Sequence, residues 1–91
     1  MAISYTYHGK DIANGGPALM KPIGNRVDVA DAAASSALTL TGWYRIAAST
    51  TSYVLIDDAA TDGTNGMHIP AGIVEVFWIV AGDKIGCSAG A

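Results

Sequence analysis

Charged side chains are scarce in this chain of 91 residues. Lys, Arg, Asp and Glu together make up 14% of it, whereas about 25% is usual for a soluble protein. Apolar residues make up 51%, so a monomer would have few charges with which to keep its surface soluble. The composition therefore predicts that part of the surface is buried against other protein molecules.

Basic patches, cysteine pairs and long apolar runs are also missing. The net charge is −3 and no basic run occurs, so binding to nucleic acid through phosphates is not expected. The single cysteine, Cys87, excludes a disulfide within the chain. No apolar run approaches the roughly 20 residues of a transmembrane helix, and the first residues lack the pattern of a signal peptide. We therefore expect no membrane partner and a chain that is made in a cytoplasm.

Alternating apolar and polar residues predict short strands along most of the chain. In residues 3–8, Ile3, Tyr5 and Tyr7 share the inner face, and His8 lies on the polar face that solvent contacts. Further strands are predicted within residues 26–29, 38–47, 52–56, 66–69, 73–80 and 83–87. Their spacing predicts an all-β fold, a small antiparallel β-sandwich that is jelly-roll-like, with an extended N-terminal region.

Local patterns add detail to this single domain. Residues 1–25 are interpreted as an N-terminal strand followed by an arm or loop, and residues 26–91 as the β-sandwich core. Strands 38–47 and 52–56 are predicted to form a hairpin across a small polar turn. The alanine-rich residues 30–37 leave a short helix and a loop both open.

The most apolar stretch, residues 73–80, has one polar side chain, Glu75. As a strand it has two apolar faces, because alternate side chains point to opposite sides. The even-numbered face is predicted to fill the chain's own sandwich, opposite Leu38, Leu40, Tyr44 and Ile46, and the odd-numbered face to contact another subunit. Glu75 is expected to pair with Arg45 or Lys84, or to discourage strand pairing at an edge. The candidate residues for an interface with another subunit or another protein are Ile73, Glu75, Phe77, Ile79, Trp43, Arg45, Leu19 and Met20.

No set of residues predicts catalysis. His8 and His68 are isolated from other metal ligands, and Cys87 is expected to be a buried, inert thiol. The acidic residues 57–65 lack the spacing of a calcium loop and are interpreted as turns. We therefore predict no catalytic residues, no cofactor and no metal, and a protein that is not an enzyme.

Trp43 allows a second interpretation. It lies on the predicted outer face with Thr39, Thr41 and Arg45, and an aromatic ring with polar neighbours is how many β-sandwich modules bind carbohydrate. A subunit interface is favoured, because tryptophan is enriched there and the chain carries little charge.

Residues 43–87 contain a series of motifs in a fixed order. They are an Arg-centred strand at Arg45, a Thr-rich turn, an Ile69-Pro70-Ala71-Gly72 corner, a Glu-aromatic strand that begins at Glu75, and a Gly82-Asp83-Lys84 turn. Over these residues, the second half of the chain resembles small virion structural proteins of tailed bacteriophages.

This resemblance implies a capsid cement (decoration) protein, which binds and stabilises the lattice of the major capsid protein without enzymatic activity. It also implies a homo-oligomer, with a trimer favoured, that is located in the virion capsid and is assembled in the host cytoplasm. A head–tail connector or a tail component is the alternative within the same family of structures.

Overall fold

The computed structural model describes residues 3–10 and 24–90. The described residues form eight strands and contain no helix that could cross a bilayer. Leu19, Met20 and most of the predicted arm lie outside them. The strands are β1 (Ile3–Gly9), β2 (Val27–Val29), β3 (Ala33–Ala34), β4 (Gly42–Ala48), β5 (Ser52–Asp57), β6 (Met67–Ile69), β7 (Val74–Ile79) and β8 (Lys84–Ala89).

Two antiparallel four-stranded sheets make up the sandwich. The first sheet has the order β2-β1-β4-β7 and the second has the order β3-β8-β5-β6. A jelly roll pairs its eight strands as first with last, second with seventh, third with sixth and fourth with fifth. When β1 is counted after β8, the pairs β2–β1, β3–β8, β4–β7 and β5–β6 follow this rule. The predicted fold class is thus confirmed, with β1 in the place of the last strand.

The hydrophobic core lies between the two sheets. Its residues come from the inner faces of both sheets and from the segment before β4. The core cluster consists of Ile3, Tyr5, Val29, Leu38, Tyr44, Ile46, Ala48, Val54, Ile69, Ile79, Ile85 and Cys87. The predicted inward positions Leu38, Tyr44 and Ile46 are therefore correct, whereas Leu40 is exposed.

The N-terminal strand β1 is central to the first sheet, between β2 and β4. The predicted boundary between residues 25 and 26 therefore falls within the sandwich. Ile3 and Tyr5 are buried as expected, but His8, predicted to face solvent, is only 4% exposed. A register shift between Tyr7 and Gly9 explains the difference, since an extra residue in one strand breaks the alternation of faces.

The predicted hairpin between residues 38–47 and 52–56 is wrong. Both edges of β4 are already occupied, by β1 on one side and by β7 on the other. The chain therefore crosses from the first sheet to the second after Ala48, and β5 pairs with β6 and β8 instead. The alanine-rich segment forms no helix, because Ala33 and Ala34 pair with β8.

The two faces of β7 are exchanged relative to the prediction. Ile79 is 1% exposed and Phe77 packs against the core, whereas Trp78 is 48% exposed and Val74 is 40% exposed. Paired residues on neighbouring strands share a face, and Phe77 pairs with the buried Tyr44. This pairing directs the odd-numbered residues inward. Ile79 and Phe77 are thus core residues of this chain and not a free surface for another subunit.

Candidate interaction surface

An apolar strip lies on the outer face of the first sheet at its β7 edge. Trp43 pairs with Trp78, Arg45 with Val76 and Ala47 with Val74, so these side chains share that face. Val80, 53% exposed, continues the alternation just after β7. We call this surface the tryptophan patch, defined as Trp43, Val74, Val76, Trp78 and Val80.

The two tryptophans pack on each other at the centre of the patch. Their ring centroids are 5.3 Å apart at an interplanar angle of 75°, an edge-on geometry that aromatic pairs favour. Trp43 Nε1 is buried and has no hydrogen-bond partner among the described residues. Trp43 is thus partly buried, and Trp78 presents the larger exposed fraction.

Arg45 is the one charged side chain next to the patch on β4 and β7. It is exposed and lies on the same face as Trp43, opposite Val76. The ion pair found among the described residues is Arg26 Nε to Asp28 Oδ1 at 3.3 Å, so the predicted pairing of Glu75 with Arg45 or Lys84 is absent there. Glu75 points to the opposite side of the sheet from Arg45, because it has the parity of Phe77 and Ile79.

Glu75 lies at the open side of the sandwich. β7 ends the first sheet and β6 ends the second, and Glu75 lines a cavity of about 200 Å³ between them with Met67, His68, Ile69 and Phe77. Its side chain is exposed. A charge that points inward at an edge strand opposes the addition of another strand, which is one of the two roles predicted for it.

The outer face of the second sheet is covered by the chain's own loop, residues 58–66. Glycine residues allow this close approach, because a side chain would have no room there. A Cβ on Gly86 would overlap the Asp62 carbonyl, and a Cβ on Gly63 would overlap backbone atoms of β5 and β8. The Gly63 N–H donates to Ser88 Oγ at 2.9 Å, which fixes the loop on β8. Among residues 3–10 and 24–90, therefore, no segment covers the apolar part of the first sheet's outer face.

The acidic residues of this loop form turns, as predicted. Asp57 Oδ1 accepts from the Ala59 N–H at 3.3 Å, and Asp62 Oδ1 accepts from the Thr64 N–H at 2.9 Å. The hydrogen bond to Thr64 lowers the pKa of Asp62. The hydrogen bond between the two neighbouring carboxyls lowers the pKa of Asp57 and raises that of Asp58. Among the described residues, no three His, Cys, Asp or Glu side chains meet in a geometry suited to a metal.

Three tyrosines line a cavity of about 300 Å³ at the opposite side of the sandwich from Glu75. Tyr7 Oη donates to the Thr41 carbonyl at 3.0 Å, and Tyr44 Oη donates to the Leu40 carbonyl at 2.6 Å. Burial, with smaller contributions from Tyr7 and Tyr5, raises the pKa of Tyr44 from 10.0 to about 12. These hydroxyls hold the segment before β4 in place.

Cys87 is fully buried in the core, as predicted. Burial raises the pKa of its thiol, so the thiol stays protonated at neutral pH. His68 is exposed on β6, and its ring lies 5.3 Å from that of Tyr53.

The structure brings together some of the predicted interface residues and separates others. Trp43 and Arg45, predicted to face outward, share one face with Trp78, Val74 and Val80. The sequence prediction had placed these last three residues in the core. Knowledge that Trp43 pairs with Trp78 would have placed both side chains on the same face. This pairing joins residues that are far apart in the sequence, so local patterns do not reveal it. Comparisons with protein-family models, curated proteins and solved structures gave no match for this chain.

Proposed function

We propose that this chain is a non-enzymatic structural protein of a virion, a capsid cement protein that binds and stabilises the lattice of the major capsid protein. The observation that carries the proposal is the tryptophan patch. Among the described residues, a loop lies on one outer face of the sandwich and the other face keeps an exposed apolar patch. Such surfaces mark contact with other protein molecules, further copies of this chain included, as the assembly of a capsid layer requires.

The sequence resemblance over residues 43–87 supports the same function, and the jelly-roll strand order agrees with the fold that it implies. A cement protein is small and binds a repeating lattice, so it gains avidity when several copies are joined. The low charge of the chain is consistent with a surface that is partly buried in such an assembly.

Co-sedimentation with capsids tests the proposal. Purified protein is mixed with shells assembled from the major capsid protein of the same virus. Saturable binding at a fixed ratio to capsid subunits is expected, together with a higher disruption temperature of the decorated shells. A chain that leaves the shells unbound and unstabilised is not a cement protein. Imaging of virions that carry the labelled protein distinguishes the capsid from the head–tail junction and the tail.

The same patch weighs against carbohydrate binding. Along β7 the neighbours of the exposed Trp78 ring on this face are Val76 and Val80, which offer no side-chain hydrogen bonds to sugar hydroxyls. Arg45 is the one charged donor beside them on β4 and β7. On a glycan array, we expect no binding that depends on Trp78, so wild type and Trp78→Ala should give the same result. A specific glycan whose binding depends on Trp78 would replace the cement function with a carbohydrate-binding one.

A further inference from the structure

We propose that the tryptophan patch is covered by a second copy of this chain, in a two-fold, face-to-face contact of the two first sheets. The inference deepens the proposed function, because it names the molecule that occupies the patch and leaves other surfaces for a capsid. It concerns the isolated protein, so it is tested without capsids.

The β7 edge is protected against the other route to assembly. Edge-to-edge pairing would place a neighbouring strand beside Glu75 and bury its carboxylate next to Phe77. The outer face has no such obstacle, since its side chains on β7 are Val74, Val76 and Trp78. Association through the face is therefore favoured over association through the edge.

A two-fold arrangement makes the patch complementary to itself. Suppose that the axis crosses the strands at the level of Phe77, between Val76 and Trp78, with the sheets about 10 Å apart. Trp78 then lies over Val76 of the second copy, so a large side chain meets a small one. Val80 likewise lies over Val74 of the second copy.

The same axis gives Arg45 a partner. Arg45 is level with Val76 and Trp43 is level with Trp78, so Arg45 lies over Trp43 of the second copy. A guanidinium against an indole is a favourable cation–π contact, and the two arginines stay apart. Of the acidic side chains on the strands of the first sheet, Glu75 faces the inner side and Asp28 is paired with Arg26, so neither places an unpaired negative charge in the contact.

The available area sets the strength of this contact. From the exposed fractions, the patch presents roughly 300 Å² of apolar surface per copy. Because apolar atoms make up about 56–65% of an interface, two copies would bury a total of about 1,000 Å². That value is near the lower limit for a specific interface, so the dimer is expected to dissociate on dilution.

The geometry favours a dimer over a closed trimer. A three-fold ring uses two different surfaces on each subunit, whereas a two-fold contact uses one surface twice. On the described part of the chain, the tryptophan patch joins three exposed apolar side chains, Val74, Trp78 and Val80, on one face, and a single surface of this kind suits the two-fold contact.

Sedimentation equilibrium over a range of concentrations tests the inference. The wild-type mass is expected to rise from that of the 9.3 kDa chain toward twice that value at several hundred micromolar. In Val74→Glu, each of the two copies places an unpaired charge in the contact. This variant is expected to weaken association by ~100-fold or more. Tyr53→Glu is the matched control, because Tyr53 is similarly exposed on the outer face of the second sheet and its replacement should leave the mass unchanged.

A second measurement follows the patch directly. Trp43 and Trp78 are the only tryptophans, so their emission should shift to shorter wavelength with concentration in wild type and Tyr53→Glu, but not in Val74→Glu. A wild-type protein that stays monomeric, a trimeric mass, or dissociation by Tyr53→Glu instead of Val74→Glu overturns the inference. A dimer that fails to bind capsids removes only the proposed function.

Discussion

Truncation of Ile79 is expected to cost more stability than truncation of its larger neighbour Trp78. Ile79 is 1% exposed and lies in the core cluster. Ile79→Ala removes three buried carbons, which contribute about 2.4 kcal/mol at ~0.8 kcal/mol each. A residual cavity adds up to about 2 kcal/mol, so we expect a total loss of about 3–4 kcal/mol.

Trp78→Ala removes more atoms but less buried surface. About half of the ring is already in solvent, so at most about 100 Å² of contact is lost. At ~25 cal/mol per Å² this is an upper limit near 2.5 kcal/mol, and we expect about 1–2 kcal/mol. The sequence-based assignment of faces predicts the reverse order, with about 3–5 kcal/mol for Trp78.

Urea denaturation followed by far-ultraviolet circular dichroism measures both variants. The protein is kept at low micromolar concentration, so that dissociation of a dimer does not contribute to the unfolding free energy. Ile79→Val, with an expected cost of about 1 kcal/mol, keeps the comparison open if Ile79→Ala does not fold. A larger loss for Trp78→Ala than for Ile79→Ala would refute the arrangement of β7 described above.

Five further variants test other contacts. Gly86→Ala should cost about 2–4 kcal/mol in urea denaturation because its Cβ would overlap the Asp62 backbone, whereas Gly72→Ala, with open space but a positive φ, should cost about 1 kcal/mol. Stability should fall as pH rises from 10 toward 12, and less steeply in Tyr44→Phe, because the unfolded tyrosine ionises first. Asp62→Asn should be less stable than wild type at pH 7, with the difference lost as pH falls below 3.8 and through the lowered pKa of Asp62 in the folded state. Glu75→Val should increase light scattering on concentration, because the edge strand loses its inward charge.

Each of these expectations has a result that contradicts it. Equal costs for the two glycine variants would show that the loop does not lie on the second sheet. Parallel alkaline profiles would show that Tyr44 is not buried as described. A pH-independent difference for Asp62→Asn would remove the role of its charge, and an unchanged solubility of Glu75→Val would mean that the edge is protected in another way.

The fold class and most strand positions could be predicted because both depend on local patterns. Two turns illustrate this. Pro70-Ala71-Gly72 and Val80-Ala81-Gly82 each bring a glycine with positive φ to the third position of a turn. The Ile73 N–H donates to the Pro70 carbonyl and the Asp83 N–H to the Val80 carbonyl, both at 3.2 Å. Turns of this kind can be recognised in the sequence without knowledge of which strands pair.

The partners of the strands, and therefore the faces of β7, could not be predicted in the same way. Both faces of residues 73–80 are apolar, so periodicity alone does not distinguish inside from outside. The pairing of Tyr44 with Phe77 decides the matter, and it joins residues that are far apart in the sequence. Glu75 added to the error, because an acidic residue normally marks a solvent face, and here it points inward at an open edge.

The position of Glu75 also explains how so apolar a strand can lie at the edge of a sheet. Residues 73–80 combine high β-propensity with a single charge, a composition that favours uncontrolled strand addition when an edge is free. Placing that charge on the inner side blocks the edge while leaving the outer face entirely apolar along β7. A charge on the outer face would have protected the edge less and would have interrupted the patch. Glu75, which misled the assignment of faces, thus opposes the open-ended addition of strands at the β7 edge. It leaves the face-to-face contact, which closes after two copies, available.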